Sequence, residues 1–186
     1  MAGISPIRSL SGSRGRGSPR NFFPSWRLAS AVTALAAAGV NAWRMVGWRG
    51  TKSIKHPALL VVHLSYAWIV VGLALRGFIN LTGWGLLSMS THALTVGGLG
   101  MMTFGMMCWV GLAHTGRPVK VARSIVVAYI FMVAAAMLRT GAWVLGPSRY
   151  AATLDAAGAC WCAAFVIYLA SYTRILWRPA EGGAAD

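Results

Sequence analysis

Long apolar stretches separated by short polar breaks dominate this chain of 186 residues. A helix needs about 20 mostly apolar residues to cross the hydrocarbon core of a bilayer. Five stretches meet this length, so each is predicted to be a transmembrane helix. They cover residues 26–46, 57–78, 86–113, 119–145 and 151–177. The predicted fold class is therefore all-α, an integral membrane helical bundle with about five transmembrane helices.

The first of these stretches, residues 26–46, carries the weakest signal. Its middle is rich in alanine, which is only mildly apolar, and Asn41 lies near its end. The breaks between the stretches contain Gly, Pro, Asn and Ser, which are typical of turns. Because these breaks are short, neighbouring helices are predicted to run antiparallel.

Composition and charge support a membrane protein over the other classes. Hydrophobic residues make up 57% of the chain and charged residues only 11%, whereas a soluble domain has about 25% charged residues. The net charge of +14 is common in nucleic-acid-binding proteins, but here the basic residues lie between apolar stretches and not along one face. Loops beside anionic lipid headgroups explain them better. The lipid bilayer is the expected partner, and nucleic acid is not.

The ends of the chain are predicted to lie outside the bundle, which takes up residues 26–178. Residues 1–25 contain arginines among Ser and Gly without any acid, and a disordered basic tail is predicted there. An organelle transit peptide, which also lacks acids, is the alternative. Residues 1–21 have no apolar stretch of the kind a signal peptide needs, so no cleaved signal is expected. Residues 179–186 form a short C-terminal tail.

The distribution of basic residues predicts the orientation. Leaving the tail aside, the loops on the side of the C-terminus hold nine Lys and Arg, and those on the opposite side hold three. Loops rich in Lys and Arg stay in the cytoplasm. The C-terminus is therefore predicted to be cytoplasmic, although the tail arginines then lie on the other side. An odd number of helices beginning outside is also the pattern left when a longer protein loses its first half.

Histidines are the strongest candidates for chemistry, since an imidazole at membrane depth usually has a partner or a metal. His63 lies six residues after Pro57, roughly 9 Å into the membrane. His92 enters at a similar depth from the opposite side, which leaves roughly 12 Å between the two along the membrane normal. His92 and His114 are roughly 33 Å apart on one helix. His63 and His92 are therefore too far apart to ligate one iron comfortably, and His92 and His114 cannot share a metal. Any metal centre would need ligands from a missing half or a second chain, and His63 could instead bond a Ser or Tyr of another helix.

Two segments resemble a known family. They are HALTVGGLGMMTFGMMCWVGLAHTGRP, residues 92–118, and HPALLVVHLSYAWIVVGLALRG, residues 56–77. Both look like the later part of the NnrS family of bacterial membrane proteins, whose members have about twelve helices. The resemblance extends through the last two stretches, ends near Arg178, and covers only the second half of the family's architecture.

The resemblance implies a function and a set of site residues. Members of the family are described as binding haem and copper and as linked to nitric oxide metabolism, denitrification and the nitrosative stress response. Haem, copper or both are thus possible cofactors, and location in the bacterial cytoplasmic (inner) membrane is expected. The candidate cofactor-binding residues are His63, His92, His114 and Arg117, with the three histidines as metal ligands. Arg117 follows a helix end, where it could hold a haem propionate or simply anchor the cytoplasmic side.

One other interpretation of the function stays open. The chain has no paired intramembrane carboxylates, no G-x-S-x-G motif and no glycine-rich phosphate loop, so catalytic residues are not predicted and an enzyme is not favoured. The alternative to a haem- or copper-associated protein is a truncated or non-catalytic membrane subunit. Such a subunit would function only with a second copy or another membrane subunit that supplies the missing helices.

Overall fold

The computed structural model describes residues 24–48, 56–118 and 120–177. Within these ranges the chain forms five helices and no strand. In chain order they are α1 (Pro24–Val46), α2 (Pro57–Thr82), α3 (Leu87–Ala113), α4 (Arg123–Gly141) and α5 (Pro147–Leu176). The prediction of an all-α helical bundle is confirmed. The predicted tail at residues 1–25 lies outside the described residues except for its last two positions, which begin α1.

Four of the five helices, α2 to α5, are long and apolar enough to cross a membrane. Helix α1 has 23 residues, which corresponds to about 35 Å and exceeds a hydrocarbon core of about 30 Å, but it is less apolar than the others. Large apolar side chains point outward along the bundle, as Trp43 of α1 and Val166 of α5 do. An outer surface of this kind requires lipid as its solvent.

Helix ends follow local turn chemistry more than hydropathy. Helix α2 continues to Thr82, four residues past the predicted end, and stops where Gly83 takes a left-handed conformation with φ of 72°. Such a glycine is a common helix stop. Helix α5 begins earlier than predicted, at Pro147, because proline suits the first helical position. Helix α4 is shorter than the predicted 119–145 stretch, since it starts at Arg123 and ends at Gly141.

Neighbouring helices pack in a regular sequence. Helix α1 packs on α2, α2 packs on α3, and α3 also contacts the paired helices α4 and α5. Glycines of α3 allow this close approach, because Gly97 lies against the Trp68 ring and Gly105 against Val61. Small residues at helix contacts are the usual device for association in lipid.

The most buried part of the bundle surrounds Phe104 in the second half of α3. Its ring meets Tyr129 of α4 and Phe165 and Tyr168 of α5 at centroid distances of 5.2 to 5.9 Å. The hydroxyl of Tyr172 donates a buried hydrogen bond of 2.6 Å to the backbone oxygen of Cys108. Aromatic contacts and one buried hydrogen bond therefore join α3, α4 and α5.

A π-helix interrupts α3 from Ala93 to Gly100. It begins directly after His92 and ends before Met101, where α-helical geometry resumes. Each turn of an i→i+5 helix holds more residues than an α-turn, and such segments are frequent at functional sites. The eight-residue segment sets the rotation of the second half of α3 and so directs Phe104 into the core.

Candidate functional site

His63 lies in the second turn of α2, where a hydrogen bond to the backbone holds one of its ring nitrogens. The helix begins at Pro57, and the preceding His56 has extended backbone angles. The Nδ1 atom of His63 lies 2.9 Å from the backbone oxygen of Leu59. A carbonyl oxygen only accepts, so Nδ1 carries the proton of this hydrogen bond.

The other ring nitrogen of His63, Nε2, is buried and has no hydrogen-bond partner among the described residues. With the proton on Nδ1, Nε2 of a neutral imidazole presents a lone pair. Metal-binding histidines typically donate their second nitrogen to a backbone carbonyl in this way. The ring is therefore set up to bind a metal ion or to accept a hydrogen bond. Leaving a polar atom buried without either has an energetic cost.

Side chains of α1 and the turn after it cover His63. The Trp48 indole packs edge to face on the imidazole, with centroids 5.7 Å apart, and also contacts Tyr66 at 4.5 Å. The Tyr66 hydroxyl donates a 2.5 Å hydrogen bond to Oδ1 of Asn41. Asn41 in turn donates to the backbone oxygen of Ala37 at 2.7 Å. This chain of contacts fixes the end of α1 against the histidine.

His92 does not lie close to His63. The contacts of Val61 with Gly105 and of Trp68 with Gly97 set the antiparallel register of α2 and α3. In this register His92 is level with about residue 74 of α2, eleven residues past His63, or roughly 16 Å. His92 instead lies close enough to Arg139 of α4 to interact with it electrostatically.

His114 and Arg117 lie at the end of α3. His114 is exposed and directly follows the last helical residue, and Gly116 has a positive φ of 67°. The Arg117 guanidinium donates a 2.9 Å hydrogen bond through Nη1 to the backbone oxygen of Ile175. Arg117 thus ties the loop after α3 to the end of α5, where a cation also suits the helix dipole.

The chain is similar to one protein family over most of its length. The family model described as "NnrS protein" matches residues 19–180, which is most of the chain. The chain belongs to the NnrS family. The resemblance found in the two sequence segments is therefore confirmed. No curated protein and no solved structure matches the chain significantly.

The metal ligands expected from the NnrS resemblance fit this chain in part. His63 fits, because its free nitrogen is buried and its proton position favours ligation. Within the described ranges, no group of three or more His, Cys, Asp or Glu side chains comes together. His92 and His114 lie apart from His63 and from each other. Each of them could bind a metal only together with ligands from elsewhere.

Three neighbours of His63 in this NnrS chain were not predicted as site residues. They are Asn41, Trp48 and Tyr66, which belong to α1, the turn after it and α2. Asn41 is a polar residue in an apolar stretch, and such a residue is a signal in itself. Trp48 and Tyr66 resemble ordinary residues of a membrane interface, so sequence alone does not distinguish them.

Proposed function

We propose that this chain is an NnrS-like protein of the bacterial cytoplasmic membrane that acts in nitric oxide metabolism or the nitrosative stress response, and that it holds haem or copper through His63. The observation that carries the proposal is the buried, unpartnered Nε2 of His63 beside a protonated Nδ1. Family membership supports the link to nitric oxide.

A haem iron or copper centre would supply a site that binds nitric oxide. The chain's own residues would hold it in place. The backbone oxygen of Leu59 keeps the His63 proton on Nδ1, so that Nε2 remains a ligand. Trp48 covers the imidazole and limits the access of water to it, and the Tyr66–Asn41 hydrogen bond keeps α1 in position behind it.

His92 and His114 both lie far from His63 in this chain. His92 is about eleven residues away from the level of His63, and His114 is at the exposed end of α3. If a centre at His63 takes His92 or His114 as a second ligand, that histidine comes from a second copy of this chain. This requirement links the cofactor hypothesis to the alternative of a subunit that functions with a partner.

The test is to produce the full chain in a bacterium supplied with a haem precursor and copper, and to purify it in mild detergent. We expect either a Soret absorbance band or stoichiometric copper, together with a spectral change when nitric oxide is added without oxygen. His63→Ala should lose most of the bound cofactor. Loss of a metal ligand or of its outer shell typically weakens metal binding by 10–100-fold or more.

His114→Ala is the matched control, because His114 is exposed and its side chain has no described partner. Its cofactor content should stay at the wild-type level. The proposal fails if the wild-type chain contains neither haem nor stoichiometric copper. It fails equally if His63→Ala and His114→Ala retain the same amount of cofactor.

A further inference from the structure

A second site lies on the opposite side of the bundle from His63. A cleft of about 150 Å³ opens between the π-helical segment of α3 and helices α4 and α5. Its walls are almost wholly apolar and include Val96, Gly158 and Trp161. The one charged residue that lines it is Arg139 of α4.

Arg139 lines the cleft from a position near the C-terminal end of α4. Helical side chains lean toward the N-terminus of their own helix, and Arg139 lies near the C-terminal end of α4, which finishes at Gly141. Its side chain therefore leans back toward the membrane interior, in agreement with its place in the cleft wall. Val96 and Gly158 lie nine and eleven residues from the first residues of α3 and α5, roughly 14 to 17 Å along the helix axes. The cleft therefore extends from the level of Arg139, near the end of α4, into the apolar part of the bundle.

The guanidinium of Arg139 has no hydrogen bond and no ion pair with any described residue. Asp155, the acid nearest along α5, is exposed on a different face of that helix and does not line the cleft. His92 interacts electrostatically with Arg139 but supplies no negative charge. A guanidinium that faces apolar walls is costly unless it has a partner.

We propose that this cleft binds a small monovalent oxyanion against Arg139, independently of any cofactor at His63. The planar fork of a guanidinium donates two parallel hydrogen bonds to a carboxylate, nitrite or nitrate group. The volume accepts a small polyatomic ion with some water. The apolar walls strengthen its attraction to Arg139 and disfavour ions with a second charge, whose desolvation costs far more. A lipid phosphate offers the same chemistry as a free oxyanion, so the experiment distinguishes these two sources.

The experiment uses the full chain in nanodiscs of zwitterionic lipid, titrated calorimetrically with sodium nitrite and with sodium acetate, and with sodium chloride as the reference. We expect saturable binding of the oxyanions above that of chloride. Arg139→Gln should weaken binding roughly 10-fold to 100-fold, since a charge-assisted pair is lost. Arg139→Lys keeps the charge without the fork and should fall in between. Arg149→Gln removes an exposed arginine from the first turns of α5 and should bind as the wild type does.

A second pair of variants tests the cleft without touching its charge. A Cβ added at Gly158 meets no atom within 4 Å, so Gly158→Leu extends into free space. The variant should fold normally and bind oxyanion at least tenfold more weakly, because its side chain occupies the cleft. Gly39→Leu is its control, since Gly39 is also in open space but lies on α1.

Three results would overturn the proposal. The first is the absence of saturable binding in the wild type. The second is an equal effect of Arg139→Gln and Arg149→Gln, which would indicate a general surface charge effect. The third is loss of nitrite and acetate binding when phosphatidylglycerol is added to the nanodiscs, which would make a lipid phosphate the ligand. His63→Ala should leave oxyanion binding unchanged, so this test does not depend on the proposed cofactor.

Discussion

Single atoms decide what each buried polar residue of this protein can do. His63 has one ring nitrogen bonded to the Leu59 carbonyl and one without a partner, and only the second is available as a ligand. Arg139 is positioned by the direction in which helical side chains lean, and not by its hydropathy. Glycines act at the same scale, because the lack of a Cβ at Gly97 makes room for the Trp68 ring.

The packing at Gly97 gives a prediction for Gly97→Ala. The added Cβ would lie 2.5 Å from the Trp68 ring, and an indole is too rigid to move aside without shifting α2. We expect a loss of about 1–3 kcal/mol in the free energy of unfolding, the usual range for overpacking. The measurement is unfolding in detergent, followed by circular dichroism.

Gly39→Ala is the control for this variant. No atom lies within 4 Å of a Cβ at Gly39, which is inside α1. Alanine stabilises a helix by roughly 0.5–1 kcal/mol relative to glycine. This variant should therefore be as stable as the wild type or slightly more stable. If both variants unfold alike, the contact between Gly97 and Trp68 does not limit the packing of α2 on α3.

The element with the least regular geometry is α3, which changes from α to π and back within Leu87–Ala113. Its π segment follows His92 and includes Val96 of the oxyanion cleft. The segment also sets the direction of the residues after Gly100, among which Phe104 and Cys108 are fully buried. The winding of α3 therefore affects both the cleft at Arg139 and the buried core around Phe104.

Removing one residue from the π segment should be tolerated. Leu99 is 67% exposed, and its deletion lets the segment wind as an α-helix, which needs fewer residues per turn. Deleting Met106, exposed but within the α-helical part, would instead turn the following residues by about 100°. That change takes Cys108 and Leu112 out of the core.

We therefore expect the Leu99 deletion to reach the membrane and run as one species in size-exclusion chromatography, with a melting temperature near that of the wild type. The Met106 deletion should aggregate or accumulate poorly. Similar behaviour of the two deletions would show that the π segment does not absorb the change in length.

At the scale of the whole molecule, the bundle is an apolar body with its basic residues at the ends of the helices. Helices α2 to α5 have the length and composition of membrane spans, and α1 packs mainly on α2. Helix α1 nevertheless contributes to the His63 site through Asn41 and the following Trp48. The placement of this peripheral helix therefore affects the candidate function as well as the topology.

Reporter fusions test the predicted topology. With the side of the C-terminus in the cytoplasm, green fluorescent protein fused after Asp186 should fluoresce. Alkaline phosphatase inserted at Gly83 or Gly146, in the two turns of the opposite side, should be active. Inactive phosphatase at both turns, with a dark C-terminal fusion, would reverse the orientation. A reporter placed before α1 adds the test of that helix, because it lies opposite the C-terminus only if α1 also spans.

Sequence alone determined the class of this protein, its helices and its family. Apolar length is a property of contiguous residues, so stretches such as 57–78 predict helices without knowledge of their neighbours. The histidine spacing likewise predicted that His63 and His92 lie far apart along the membrane normal, since helical rise converts residue number to distance. The family resemblance rested on contiguous text in the same way.

Tertiary structure alone decided which polar groups have partners. The imidazole of His63 packs against Trp48, which comes from the turn after α1, and the cleft at Arg139 is lined by three helices. The π segment was also beyond prediction, because its hydrogen-bond spacing leaves no distinct hydrophobic period. Hydrophobic pattern thus selects helices and their membrane setting, while the packing of those helices determines what each histidine and arginine can bind.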